Sequence, residues 1–300
     1  MERLRIRAGT CAFADHDSFY PRHLANVDRL RYYASFFSVV EIDSTFYGIV
    51  AARTWERWLD QVDGDFRFHA KAPAALTLHA HGMTRQERRE VGRAFLESLR
   101  PAAERRAISA ILLQFPPWFG ATRENKATVE RLVAFCHPLN AAVEFRERSW
   151  FQDPERIEKT IAWLSSLGAV HVICDEPQAG RKSVPYVPRV THAQLGILRM
   201  HGRNVEMWDK PGLTSSKQRF DYRYSRTELE SFVPDVVTLA NGVQEFHVLM
   251  NNNSNNDAVW NAFDWLDLIG GAKRPRPMLQ HSEQLSLLPD HIVDGGEGCS

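Results

Sequence analysis

The sequence predicts an α/β fold: eight parallel strands alternate with helices, close into a single barrel and lead into a flexible tail. Three observations predict it. Eight short runs of aliphatic, β-branched and aromatic residues recur along the 300 residues. Most gaps between them are of helix length and carry a 3.6-residue apolar period. The first turn, Gly9-Thr10-Cys11-Ala12-Phe13, has neither G-x-G-x-x-G nor a Walker A loop, so the rival open doubly wound sheet lacks its usual glycine signature. Eight βα units are the number that closes a TIM (β/α)8 barrel.

Taken in order, the strand runs fall at 4–9, 39–42, 66–70, 110–114, 142–145, 170–174, 197–200 and 246–250. Leu24, Val27, Leu30, Ala34 and Phe37 share one helical face before the second run. Trp55, Trp58, Leu59 and Val62 share another, as do Val129, Leu132, Val133 and Cys136. Thr84-Arg85-Gln86-Glu87 and Ser225-Arg226-Thr227-Glu228 are capping boxes that open helices. Asp153-Pro154 is an N-cap followed by proline at the first helical position, and Gly168 marks where that helix stops. Pro234 falls inside a periodic segment and predicts a kink. Residues 177–195, with Pro177, Pro185 and Pro188, and residues 202–224 read as long loops, which in a compact barrel are functional or mobile. From Ala272 the chain turns Pro-rich, then polar and Gly-rich. The domain expectation is therefore a barrel over 1–271 and a tail over 272–300.

Composition narrows the class. Lys and Arg number 37 against 37 Asp and Glu, hydrophobic residues make up 44% and charged residues 25%, a globular balance. No run approaches the ~18 apolar residues of a membrane span. Met1-Glu2-Arg3-Leu4-Arg5 leads straight into strand-like sequence without an apolar signal region, so a cytoplasmic protein is expected. Cys11, Cys136, Cys174 and Cys299 form no C-x-x-C pair and match no zinc framework, which fits free thiols in a reducing compartment.

The chemistry of a TIM barrel lies at the C-terminal ends of its strands. Polar groups stand at almost every one: Glu41 and Asp43, His69 and Lys71, Gln114, Glu144 and Arg146, Asp175 and Glu176, Arg199, His201 and Arg203, Asn251 and Asn252. Charges inside apolar strands are costly unless paired, so the set reads either as a ligand site or as a ring of buried salt bridges. Glu144 and Arg146 share a strand face, as do Arg199 and His201. Glu144 is equally a general base, a metal ligand or an arginine partner, and His201 suits acid–base work. His69, Glu144, Asp175 and His201 would together make a divalent-metal site, but without H-E-x-x-H-type spacing a metal is not favoured.

Charge is unevenly spread. Between Arg181 and Arg226 ten basic residues face only Glu206, Asp209 and Asp221, interleaved with Tyr186, Trp208, Phe220, Tyr222 and Tyr224. Basic groups neutralise phosphates and aromatics stack on bases, a pattern of single-stranded or distorted nucleic acid binding; a solvated basic loop is the bland alternative. The acidic tail carries Gln284-Leu285-Ser286-Leu287-Leu288. It resembles the pentapeptide by which bacterial polymerases and repair proteins bind the replication sliding clamp, with Leu288 where an aromatic is common.

These residues resemble the YecE-like proteins, a TIM-barrel family of unknown function (domain of unknown function 72). The resemblance covers about residues 4–270. It rests on Gly9-Thr10, Val40-Glu41-Ile42-Asp43-Ser44-Thr45-Phe46-Tyr47, Trp55, Phe66-Arg67-Phe68-His69-Ala70-Lys71 and Leu113-Gln114-Phe115-Pro116-Pro117. It continues through Glu144-Phe145-Arg146 with Ser149-Trp150, Asp175, Arg199-Met200-His201-Gly202, Tyr222-Arg223-Tyr224 and Met250-Asn251-Asn252. It implies a TIM barrel with these residues lining the mouth, and no established reaction. The chain departs from the family's usual pattern at Cys11, Asp43, the interrupted Thr77-Leu78-His79 and Met250.

The leading expectation is a phosphate-bearing ligand at the barrel mouth, plausibly single-stranded or damaged DNA in a repair-related role. Lys71, Arg146, Arg199 and Arg203 would hold phosphates, and Glu144, Asp175 or His201 would handle protons. Gln114 and Asn252 would orient the ligand, beside Glu41, Asp43, His69, Tyr222, Tyr224 and Asn251. TIM-barrel endonucleases offer a fold-level analogy only. The alternatives are an isomerase- or lyase-like enzyme on a small phosphorylated or carboxylated compound, and a non-catalytic adaptor docked on the clamp through Gln284, Leu285, Leu287 and Leu288.

Overall fold

The structure is a computed structural model that describes residues 5–178, 182–213 and 215–277, with only the backbone of 216 and 217. Gln284, Leu285, Leu287, Leu288, Cys299 and Arg181 lie outside the described residues.

Eight strands form one closed parallel barrel in sequence order: β1 (Ile6–Cys11), β2 (Val39–Ile42), β3 (Arg67–Lys71), β4 (Ile108–Gln114), β5 (Ala141–Glu144), β6 (Val170–Asp175), β7 (Leu195–Met200) and β8 (Glu245–Met250). β8 closes on β1 with Gly9 opposite Leu249, while Gly9 also sits opposite Val39 of β2. The glycine is required there, because a Cβ would lie 1.9 Å from the Val39 carbonyl oxygen. Every residue of β2, β5, β6 and β7 is buried, as expected of strands covered on both faces.

The helices are α1 (Arg29–Ala34), α2 (Ala52–Leu59), α3 (Arg85–Glu104), α4 (Arg123–Cys136), α5 (Pro154–Ser166), α6 (Val205–Trp208), α7 (Arg226–Ala240) and α8 (Asp257–Leu268). Both capping boxes are made, Thr84 with Glu87 and Ser225 with Glu228. Asp153 accepts from the Arg156 amide at the head of α5. Gly168 follows α5 with φ +64°, the left-handed turn that glycine permits.

Two expectations change. The helix before β2 is short: Asn26–Asp28 is a 3-10 turn and α1 covers only Arg29–Ala34. Val27 is 69% exposed and so does not share the buried face that the spacing suggested. Pro234 lies inside α7, which runs on to Ala240. The proline removes the partner of the Glu230 carbonyl, and Glu230 faces solvent, where water replaces the lost bond. At the far end, Arg276 pairs with Asp264 at 2.8 Å and lies over the Phe263 ring, so the first tail residues fold back on α8.

Packing also fixes the loops that carry the mouth. Trp150, after β5, stacks between Phe145 at 3.9 Å and Trp163 at 5.6 Å. Its indole N–H donates to the Phe119 carbonyl, and Thr160 donates to its own carbonyl. That stack anchors the β5 loop to the β4 loop and to α5, and so sets the position of Arg146.

Candidate binding site at the barrel mouth

Arg199 of β7 crosses the barrel interior. Its Nη2 donates to Glu41 Oε1 of β2 at 2.6 Å and contacts Cys11 Sγ of β1 at 3.4 Å. Its Nη1 donates to Glu144 Oε2 of β5 at 2.5 Å. All four side chains are fully buried. One guanidinium thus ties three strands together, and two carboxylates offset the desolvation of one cation.

The next layer outward is built on Glu144. Its Oε1 accepts from Arg146 Nη1 at 3.1 Å and lies 3.4 Å from His201 Nε2. Arg146 Nε lies 3.3 Å from Glu176 Oε2, whose other oxygen accepts from the Val184 amide at 2.6 Å. His201 Nδ1 is 2.7 Å from the Asn251 amide. An amide nitrogen facing the ring puts the imidazole proton on Nε2; an amide oxygen there puts it on Nδ1 and lets Nε2 accept from Arg146.

These neighbours sort the carboxyls by protonation. Burial alone would raise Glu144, but Arg199, then His201 and Arg146, outweigh it and hold it well below the carboxylate range. Burial pushes Glu41 up to about 8 against the pull of Arg199, and the adjacent Asp43 adds to the rise. Burial likewise raises Glu176 to about 7 against Arg146. His201 falls to about 3 through burial and Arg146, so its imidazole is neutral. The expectation that Glu144 or His201 takes up protons therefore gives way: Glu144 is a fixed anion, and the carboxyls that hold protons near neutrality are Glu41 and Glu176. Burial pushes the Cys11 and Cys174 thiols well up, which makes them unreactive.

Toward solvent, Lys71 lies over the Phe46 ring at 4.7 Å with Asp43 at 3.7 Å, and Arg146 lies over the Trp208 ring at 4.7 Å. His79 packs edge-on against Phe46 at 5.0 Å. Burial, then Lys71 and Arg146, lower it to about 4, so the loop after β3 sits within the field of both cations. Tyr47 is 82% and Trp118 54% exposed on the neighbouring strand-end loops. Gln114 ends β4 in register with Glu144 and is partly exposed.

Several residues expected at the mouth serve as its scaffold. Asp175 alternates away from Cys174 and Glu176. It accepts three bonds from Arg203, two from Nε and one from Nη2, at 2.8–3.2 Å, and one from Tyr224 Oη at 2.6 Å. Tyr224 in turn accepts from the Gly202 amide. Tyr222 donates to Glu228, and Asn252 donates to the Tyr222 carbonyl and to Asn261. Together they pin the loop after β7 to β8 and α8. His69 is fully buried and turned toward the barrel base: Nε2 meets His247 Nδ1 at 2.7 Å, and His247 Nε2 meets Glu245 Oε2 at 3.0 Å. A cavity of about 820 Å³ opens at that base beside Glu245, Arg5, Arg67 and Arg106. It holds the ion pairs that close the barrel and lies opposite the strand ends where barrel chemistry sits.

The expected metal quartet is not assembled. Glu144, Cys174 and His201 come within 4.8 Å of one another instead. Both Glu144 oxygens are engaged by guanidinium groups, so a divalent ion there would stand beside the like charges of Arg146 and Arg199. Half of the basic segment is also matched. Lys182 pairs with Asp209, Arg189 with Glu158, Arg203 with Asp175, and Arg223 with Asp257 and Asp264. Those acids come mostly from other parts of the chain, which a local charge count does not register. Trp118 escaped the sequence reading as a mouth residue, because an exposed loop tryptophan and a packed one look alike in one sequence, and Trp208 read only as an aromatic of the basic segment. Glu176 was visible at its strand end, but its raised pKa depends on its burial in the fold.

A family model described as "Protein of unknown function DUF72" matches residues 7–284. The chain is similar to UPF0759 protein YunF of Bacillus subtilis, 37% identical over 88% of this chain and 94% of that protein. It resembles the structure of a DUF72 family protein from Enterococcus faecalis at 29% identity, covering 91% of this chain and 99% of that one, with a TM-score of 0.81. A DUF72 family protein from Thermotoga maritima aligns at 31% identity over 89% and 99% of the two chains, with a TM-score of 0.77.

Proposed function

The chain belongs to the DUF72 family, whose description assigns no reaction, and from that premise we propose that its barrel mouth binds a phosphate-bearing ligand, a nucleotide unit of nucleic acid, in a repair-related role. One observation carries the reading: Lys71 and Arg146, the two mouth cations, each lie at 4.7 Å over an aromatic face and keep 14% and 11% of their side-chain surface open to solvent. An ammonium and a guanidinium so placed match a phosphate, and the exposed Tyr47 and Trp118 offer flat faces to a base. Arg199 and Arg203 support the site through their carboxylates rather than by touching the ligand. Gln114 remains the amide that would orient it.

The floor sets the size of what enters. Glu144, Arg199 and His201 are fully buried, so a stacked base pair does not reach them. A single strand, or a nucleotide turned out of a duplex, would present its phosphate to Lys71 and Arg146 above them. The same narrowness favours a second reading, a small phosphorylated compound as the whole ligand. Thermal-shift titrations against a short single strand with an abasic site, a mononucleotide and a set of sugar phosphates separate the two. Stabilisation by the strand that weakens with salt supports the nucleic acid reading. Stabilisation by a sugar phosphate alone moves the assignment to the metabolic one. No effect beyond that on a charge-matched control protein removes both.

A further inference from the structure

Glu41 lies in β2 and Asp43 opens the 3-10 turn that follows it, with the two side chains within hydrogen-bonding reach of each other. Glu41 Oε1 is used by Arg199 at 2.6 Å, but Glu41 Oε2 is buried without a hydrogen-bond partner. Asp43 Oδ1 is buried likewise, with Lys71 Nζ at a loose 3.7 Å. Two ionised carboxylates only accept hydrogen bonds, so they cannot satisfy each other. Buried oxygens left in that state are costly, and one proton placed between them turns the repulsion into a charge-assisted hydrogen bond. The groups facing the pair come from three other strands: Arg199 of β7, Lys71 of β3 and the Cys11 thiol of β1. With one proton, the pair carries a single negative charge between two cations.

We propose that Glu41 and Asp43 share one proton at neutral pH and act as the proton donor of the mouth. This rests on the reading of the mouth as a ligand site. The Asp43 side chain is 27% exposed and contacts Lys71, so the pair reaches the place where Lys71 would hold an anionic oxygen. In the donating step the carboxyl O–H bond breaks and an O–H bond forms on that ligand oxygen. The pair then carries two negative charges, faced by Arg199 and Lys71, and recovers its proton from water. The raised pKa of Glu41, about 8, agrees with the sharing.

The test is a carboxyl-carbon NMR titration of Glu41 in the full chain, in the wild type and in Asp43→Asn. An asparagine amide donates to a Glu41 carboxylate and removes the need for the proton. The Glu41 midpoint in the wild type is expected near 8 and falls by more than about one unit in the variant. A wild-type Glu41 ionised at pH 6, or a midpoint unmoved in Asp43→Asn, overturns the sharing. Ligand-induced thermal shift on the same samples is scored separately: the raised Glu41 midpoint and its fall in Asp43→Asn without ligand binding defeat the ligand-site reading and leave the shared proton standing.

Discussion

His69 Nε2 lies 2.7 Å from His247 Nδ1, in the interior of the barrel below the Arg199 layer. Glu245 fixes the direction of this contact. Burial would raise its pKa, but His247 and Arg7 outweigh that and hold it well below the carboxylate range, so it can only accept. His247 Nε2 must then donate, its Nδ1 must accept, and His69 Nε2 must donate. Nitrogen NMR of the histidine rings should find both rings neutral with the proton on Nε2. A proton on Nδ1 of either ring contradicts the chain.

Replacing His247 by Leu would leave the buried His69 without its partner, while Glu245 keeps its bonds from Arg7. The expected loss is roughly 1–3 kcal/mol for the buried imidazole left unsatisfied, read by urea unfolding. A loss under about 0.5 kcal/mol would show that the column is not a buried hydrogen-bonded unit.

Arg199→Met tests the layer above. It strands Glu41 and Glu144 as buried acids with no counter-charge from β7. Unfolding free energy should drop by about 3–5 kcal/mol. A variant as stable as the wild type would mean the two acids are not held by Arg199.

The pH dependence follows from Glu176. Its pKa is raised from 4.5 to about 7 by burial. The folded state therefore binds a proton that the unfolded state has released between those values. The stability linked to this group is complete below about 4.5 and is lost as pH rises through about 7. Glu176→Gln has no such proton to lose. Wild-type stability should fall relative to Glu176→Gln between pH 5 and 7.5 in urea unfolding, and parallel curves would contradict the shift.

How much of this was legible follows from which information each feature needs. The strand runs and caps read well because they are local: Thr84 with Glu87 and Asp153 with Pro154 announce helix ends within four residues. The candidate ring at the strand ends read well because the barrel fixes its place. Roles within the ring did not, because they depend on contacts between distant residues. Glu144 and Glu41 look alike in the chain, yet one meets Arg199, Arg146 and His201 while the other meets Arg199 and Asp43. Asp175 looked catalytic until Tyr224 and Arg203 enclosed it. The basic segment looked free because Asp257 and Asp264 lie beyond it in sequence.

The tail motif makes its own prediction. Residues 284–288 lie outside the described structure, and their pentapeptide pattern predicts docking on the sliding clamp by two leucine anchors. Leu285→Ala with Leu287→Ala should abolish clamp pull-down by the full chain. Undiminished pull-down would refute the motif.

The most direct test of the central claim is the salt dependence of binding of a short single strand to the wild type and to Lys71→Gln. The account predicts binding that weakens steeply with salt in the wild type. It predicts weaker binding in Lys71→Gln across sequences, with a salt slope lower by about one, the signature of one lost phosphate contact. Equal affinity and equal slope in the two proteins would contradict a phosphate at the Lys71 mouth.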